Sequence, residues 1–285
     1  MQAVFRCAVA ALFVILLLPT TQGWGAQEAT GGAINAPPQA LPTGGPGSGL
    51  EKALSLDLGN GVKMELVIIP AGEFMMGDAK GDPDEVAHKV SITKPFYLGR
   101  YEVTQEQWQA VMGTDPSKIK GPQNPVESVS WTEAQDFCKK LGEKFADHKL
   151  KFSLPTEAQW EYACRAGTAT KFYYGDADKD MVDYGWCKVN SGGTTHPAGQ
   201  KKPNAWGLYD MHGNVSEWCY DWFDPAYYQA SPPNDPTGPA IGAQRTLRGG
   251  SWFHHPDGCR CTDRTRFNPG SRSQYFGFRV ACVGQ

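Results

Sequence analysis

The chain has 285 residues, 40% hydrophobic and 20% charged, and its 27 basic and 30 acidic side chains leave a net charge of −3. That balance excludes a basic nucleic-acid binder and an acidic tail, and the ordinary hydrophobicity excludes a disordered chain. With 33 glycines, 21 prolines and 9 tryptophans, the composition predicts many turns pinned by large aromatic anchors rather than a helical bundle.

Met1–Arg6 carries one positive charge, and Cys7–Leu18 is an apolar run followed by Gly23 and Gly25 at small-residue spacing. The run is about twelve residues, short of the roughly twenty that a bilayer span needs. This predicts a signal peptide over residues 1–25 and an exported protein, with no membrane span in the mature chain. Residues 26–50 are rich in Gly, Pro and Ala with almost no charge and predict a flexible linker. The remainder, 51–285, is expected to form one domain. Beyond Cys7 it holds Cys138, Cys164, Cys187, Cys219, Cys259, Cys261 and Cys282. Export permits disulfides, and this odd count leaves at least one thiol unpaired within the chain.

Val62–Ile69 alternates and then turns fully apolar before the Pro70-Ala71-Gly72 turn, which predicts a strand. Phe96–Val103 predicts a second. Three capping boxes then announce helices, opened by Thr104 with Gln107, Thr132 with Gln135 and Thr156 with Gln159. Val103 can staple to Trp108 across the first cap. In the second helix, Ala134, Phe137, Cys138 and Leu141 fall on one face. Beyond Gly167 the composition predicts short strands and long ordered loops. The class is α+β with much irregular structure.

Seven segments carry a family resemblance. They are IPAGEFMMG (Ile69–Gly77), FYLGRYEVT (Phe96–Thr104), PVESVSWTEAQDFC (Pro125–Cys138), LPTEAQWEYACRAGT (Leu154–Thr168), NAWGLYDMHGNVSEW (Asn204–Trp218), LRGGSW (Leu247–Trp252) and GFR (Gly277–Arg279). In this order they make the chain similar to the formylglycine-generating enzyme, or sulfatase-modifying-factor, family. The resemblance implies a single loop-rich domain related to the C-type-lectin fold and stabilised by calcium. It also implies Cu(I) held by two cysteines, and oxygen used to convert a sulfatase cysteine in a Cys-x-Pro-x-Arg sequence to formylglycine. Soft thiolates suit Cu(I), so that chemistry is self-consistent. A periplasmic or extracellular setting is a further expectation from the resemblance.

Carried onto this sequence, the family's calcium ligands fall on the side chains of Asp210 and Glu217 and the carbonyls of Gly213 and Val215. Two carboxylates and two carbonyls around a glycine turn suit a hard cation. The copper positions fall on His254 and Cys259, with Ser251 as the serine of the GGS motif helping to place oxygen. The first copper cysteine is therefore replaced, and Ser216 stands where the family motif reads Trp. The cluster HHPDGCRC still offers imidazole and thiol ligands. The resemblance also implies a disulfide between Cys138 and Cys282, and a second from Cys164, for which Cys261 is the nearest substitute partner.

Other groups carry weaker signals. Asp82, Asp84 and Glu85 are expected to form a solvated turn, and His196 has no evident partner. Arg260, Arg264, Arg266, Arg272 and Arg279 could receive an acidic or peptide ligand, or pair with local carboxylates, as favoured for Arg279. No Gly-rich phosphate loop, GxSxG motif or Ser-His-Asp set is present. Two functional classes follow. One is a metal-dependent oxidase acting on an exported sulfatase or another protein thiol. The other is a non-catalytic module of the same fold that binds a peptide or glycan near Trp252–Cys261.

Overall fold

Hydrophobic alternation and turn chemistry set the first strands. The structure is a computed structural model that describes residues 52–284. The expected signal peptide (1–25) and linker (26–50) lie outside the described residues. The chain begins with β1 (Ala53–Gly59), β2 (Val62–Ile69), β3 (Gly72–Met76), β4 (His88–Ile92) and β5 (Phe96–Gly99). Helices α1 (Gln105–Met112) and α2 (Trp131–Lys144), strand β6 (Leu150–Ser153), and helices α3 (Glu157–Arg165) and α4 (Met181–Tyr184) follow. The C-terminal half supplies β7 (Ser216–Trp222), β8 (Arg245–Arg248), β9 (Arg264–Phe267), β10 (Phe276–Gly277) and β11 (Ala281–Gly284).

Asn60 and Gly61, at φ 54° and 80°, join β1 to β2. An Asn-Gly pair in left-handed space gives the turn whose twist matches a two-residue hairpin. The strand expected at 62–69 forms as β2, whereas the one expected at 96–103 ends at Gly99. One sheet has the order β1-β2-β5-β11-β6, so the last strand of the chain is inserted near its centre. There Ala281 lies opposite Leu98 on one side and Ser153 on the other. A second sheet has the order β10-β7-β8-β9, and β3 and β4 form a separate hairpin.

Two of the three predicted caps form as read. Thr104 boxes with Gln107 and Thr156 with Gln159. Val103 and Trp108 share one buried cluster. The second helix corrects the prediction: Ser130, not Thr132, is its N-cap, and Glu133 completes the box. Trp131 thereby becomes the first helical residue, with its indole donating to the Cys219 carbonyl at 2.8 Å. Glu133 also places a carboxylate at the positive end of the helix dipole and pairs with Arg272 at 2.8 Å. The apolar face is unchanged, with Ala134, Phe137, Cys138 and Leu141 buried.

Trp108, Phe137 and Phe278 meet at centroid distances of 5.4 to 6.0 Å and anchor α1 and α2 on the C-terminal segment. Behind α3 the packing is ionic. Arg264 forks onto Glu157 at 2.7 and 2.8 Å, and the guanidinium of Arg248 pairs with Glu161. Such buried pairs add little net stability over apolar packing, but removal of one partner leaves an uncompensated charge. They fix β8 and β9 against α3, and so aim the loop between those strands. Short strands, few helices and long loops make the molecule α+β. No helix among the described residues is long and apolar enough to cross a membrane.

Candidate functional site

Strand β8 runs into Gly249 and Gly250, both at positive φ (87° and 67°). A Cβ on Gly250 would stand 2.3 Å from the Gly258 carbonyl oxygen and 2.6 Å from Cys259 Sγ. Only glycine lets the chain fold back this tightly. The turn that follows carries Ser251, His254 and Cys259. Ser251 is fully buried, and its amide donates to His254 Nδ1 at 3.1 Å, with its Oγ 2.9 Å from the same nitrogen. Burial lowers the pKa of His254, so the ring is held neutral.

Cys259 closes a short 3-10 turn (Pro256–Cys259) and packs with Phe172, Met181 and Cys187. Burial pushes its thiol well above the ordinary range, Cys187 adds to this, and the Ser251 amide offsets it only in part. The structure thus gathers the three predicted catalytic residues around Ser251. They do not fit Cu(I) as the family holds it. One thiolate is replaced by an imidazole whose Nδ1 already accepts hydrogen bonds, and the remaining thiol sits where its ionised form is disfavoured. Cys187 shares the apolar pocket of Cys259, and no sequence motif pointed to it.

The predicted calcium residues lie in the loop leading into β7. Asp210 and Asn214 take positive φ (56° and 61°), and a Cβ on Gly213 would meet the Trp186 carbonyl oxygen at 2.1 Å. Asp210 is buried; its Oδ2 accepts from the Gly199 amide at 2.7 Å, while Oδ1 has no partner. Glu217 accepts from Trp160 Nε1 at 2.8 Å and from both ends of the Arg279 guanidinium. Glu102, which sequence reasoning missed, accepts from the Val215 amide at 3.0 Å and from Asn214 at 2.8 Å. Burial, then repulsion from Asp210 and Glu217, drive its carboxyl well above the usual range. Burial likewise lifts Asp210 to about 6. Buried carboxylates therefore outnumber the single guanidinium among them, and Asp210 Oδ1 is left without a partner. This donor set fits a hard cation.

Beside His254 opens a groove of about 440 Å³, lined by Phe253, Phe267, Tyr275, Phe276 and Arg272. Phe253 and Phe267 are 48% and 41% exposed and stand on the same groove. The Arg272 guanidinium in its wall is paired with Glu133. The remaining predicted groups are mostly satisfied internally. Arg279 pairs with Glu217, as favoured, and Arg264 with Glu157. The turn expected to be solvated departs from that reading: Glu85 is buried and held by Arg260 at 2.7 Å. His196 does have partners, since its ring stacks on Trp186 at 3.7 Å and its Nε2 meets the Ser191 carbonyl at 2.7 Å. All seven described cysteines are free buried thiols in the structure, including Cys138 and Cys282.

Comparisons with known proteins agree with this architecture. Residues 59–283 match the sequence model of the family described as the sulfatase-modifying factor enzyme 1-like domain. The chain is 32% identical over 289 residues to a formylglycine-generating enzyme of Streptomyces coelicolor, covering 75% of this chain and 88% of that enzyme. It is 33% identical to the serine/threonine-protein kinase pkn1 of Chlamydia pneumoniae, covering 76% of this chain but spanning only 38% of the kinase. Among solved structures, Treponema denticola variable protein 1 superposes with a TM-score of 0.76 at 34% identity, covering 82% of this chain and 99% of that one. The glycine-hinged turn, the loop entering β7 and a match over nearly all the described residues place the chain in the sulfatase-modifying factor (formylglycine-generating enzyme) family.

Proposed function

We propose that the chain is an exported binding module of this family, which takes an extended, proline-containing segment of a partner protein in the aromatic groove beside His254. The observation that carries this reading is the pair of exposed rings, Phe253 and Phe267, beside a turn that lacks a two-thiolate site. Aromatic-lined grooves favour extended proline-containing segments, because flat rings stack on a conformation that is already ordered. Calcium would be held by the Asp210 and Glu217 side chains with the Gly213 and Val215 carbonyls. Its chemistry there is charge neutralisation among buried carboxylates. The formylglycine-generating relatives support a protein or peptide as the partner by their name.

In this reading His254 and Ser251 shape the end of the groove. Ser251 fixes the imidazole through its amide, and the neutral ring leaves Nε2–H to donate to a backbone carbonyl of the bound segment. A second reading rests on Cys187, which shares the pocket of Cys259 and could supply the thiolate that position 254 lacks.

A Cys-x-Pro-x-Arg peptide separates the two readings. The chain, loaded with copper and incubated in air, is expected to bind the peptide by fluorescence anisotropy, to lose that binding in Phe253→Ala, and to form no aldehyde by mass spectrometry. Aldehyde formation abolished by both Cys259→Ser and Cys187→Ser would overturn the binding-only reading and establish the oxidase.

A further inference from the structure

Cys164 of α3, His212 of the loop before β7 and Cys261 of the β8–β9 loop meet in the interior, and all three are fully buried. One ligand atom from each lies within 4.8 Å of the other two. The two sulfurs are 3.5 Å apart. The orientation of the imidazole is fixed from outside the cluster. Its Nδ1 lies 2.8 Å from the Cys259 carbonyl, which can only accept, so Nδ1 carries the hydrogen. Nε2 therefore carries the ring's lone pair, which accepts from the Tyr173 amide at 3.2 Å, while the ring stacks on Tyr173 at 4.6 Å. A histidine whose N–H is anchored by a backbone carbonyl, clustered with two thiols, has the arrangement of a metal ligand with its supporting shell.

We propose that Cys164, Cys261 and His212 form a zinc site. The spacing favours a shared cation over a covalent bridge. Two sulfurs on a tetrahedral zinc, at about 2.3 Å each, stand roughly 3.7 Å apart, close to what is observed. A disulfide needs about 2.05 Å, and it would leave the converging imidazole without a purpose. Charge points the same way. Zinc binding releases a proton from each thiol, and two thiolates with a neutral imidazole then balance the divalent ion. The assembly is then neutral, which lowers the cost of burying it. A monovalent copper ion would leave a net negative charge. The Met211 carbonyl oxygen lies 3.9 Å from the Cys164 sulfur and offers a ligand atom for the fourth position. Zinc binding by His212 takes the Nε2 lone pair, so the hydrogen bond from the Tyr173 amide is given up when the ion binds.

Such a site ties α3, the loop before β7 and the β8–β9 loop at one point. It is separate from the family's copper pair, which maps to positions 254 and 259. The test uses the full chain produced under reducing conditions with zinc. Elemental analysis is expected to find an equivalent of zinc per chain, lost in Cys164→Ser and Cys261→Ser and kept in Cys259→Ser and Cys138→Ser. Cobalt substitution of the unmodified chain is expected to give the thiolate charge-transfer and intense visible bands of a tetrahedral site, a readout that does not depend on how the variants fold. Absence of retained zinc, an octahedral cobalt spectrum, or a Cys164–Cys261 peptide lighter by two hydrogens on mass mapping would each overturn the proposal.

Discussion

Arg279 donates to both carboxylate oxygens of Glu217, at 2.6 Å each, and both side chains are buried. The same guanidinium reaches the Gly99 and Tyr209 carbonyls at 3.0 Å, so one side chain joins the end of β5, the loop before β7 and the C-terminal segment. Arg279→Ala strands a buried carboxylate among Glu102 and Asp210. The expected loss is about 3–5 kcal/mol of unfolding free energy, read by urea denaturation, with partial recovery in the Arg279→Ala, Glu217→Gln double variant. A single-variant loss under about 1 kcal/mol would contradict this account.

Calcium removal should be visible as stability. A ligand at about a hundredfold its dissociation constant adds roughly 2.7 kcal/mol, and in a domain of this size that corresponds to about 5–10 °C in Tm. A chelator is therefore expected to lower Tm by about that amount. Asp210→Asn should shrink the difference, because it removes the carboxylate whose Oδ1 has no partner. Identical melting curves with calcium and with chelator would count against the site.

The cap of α2 is a local test. Ser130→Ala removes the acceptor for the Glu133 amide and is expected to destabilise by about 1 kcal/mol. Thr132→Ala, one residue inside the first turn, should stay within about 0.5 kcal/mol. The reverse ranking in chemical denaturation would restore the cap at Thr132.

Asp263 carries a pH dependence. Burial lifts its carboxyl to about 6, opposed by Arg260 and Arg248 and reinforced by Glu85 and Asp82. The folded state binds this proton more tightly than the unfolded chain, so its contribution to stability declines as pH rises from about 4 through 6. Asp263→Asn should flatten the stability profile in that window and raise stability at neutral pH by about 1–3 kcal/mol. An unchanged slope between the two proteins would show that another group titrates there.

Much was legible locally. Thr104 and Thr156 cap their helices because a capping box needs only residues within one turn, and the 62–69 strand follows from its own alternation. The α2 start was ambiguous because Ser130-Glu133 and Thr132-Gln135 both satisfy the box pattern. The choice was settled by Trp131 reaching the Cys219 carbonyl, 88 positions away. The seven segments were enough to assign the family and to mark Asp210, Ser251, His254 and Cys259 as positions to examine.

Pairings across sequence distance were mostly not legible, although the resemblance did point from Cys164 to Cys261, whose sulfurs stand 3.5 Å apart. Glu85 reads as a surface acid until Arg260, 175 positions on, is folded against it. Glu102 gains meaning only beside Asp210 and Glu217, where burial and mutual repulsion act together. The convergence of Cys164, His212 and Cys261 depends on a helix and two loops packing on one another. Composition and periodicity determined by themselves that this is an α+β chain, and the resemblance carried by seven ordered segments assigned it to the sulfatase-modifying factor family. Which charges meet, which thiols approach and which rings stay exposed was decided by the tertiary structure, because electrostatic and coordinative interactions act through space and carry no signal at fixed sequence spacing.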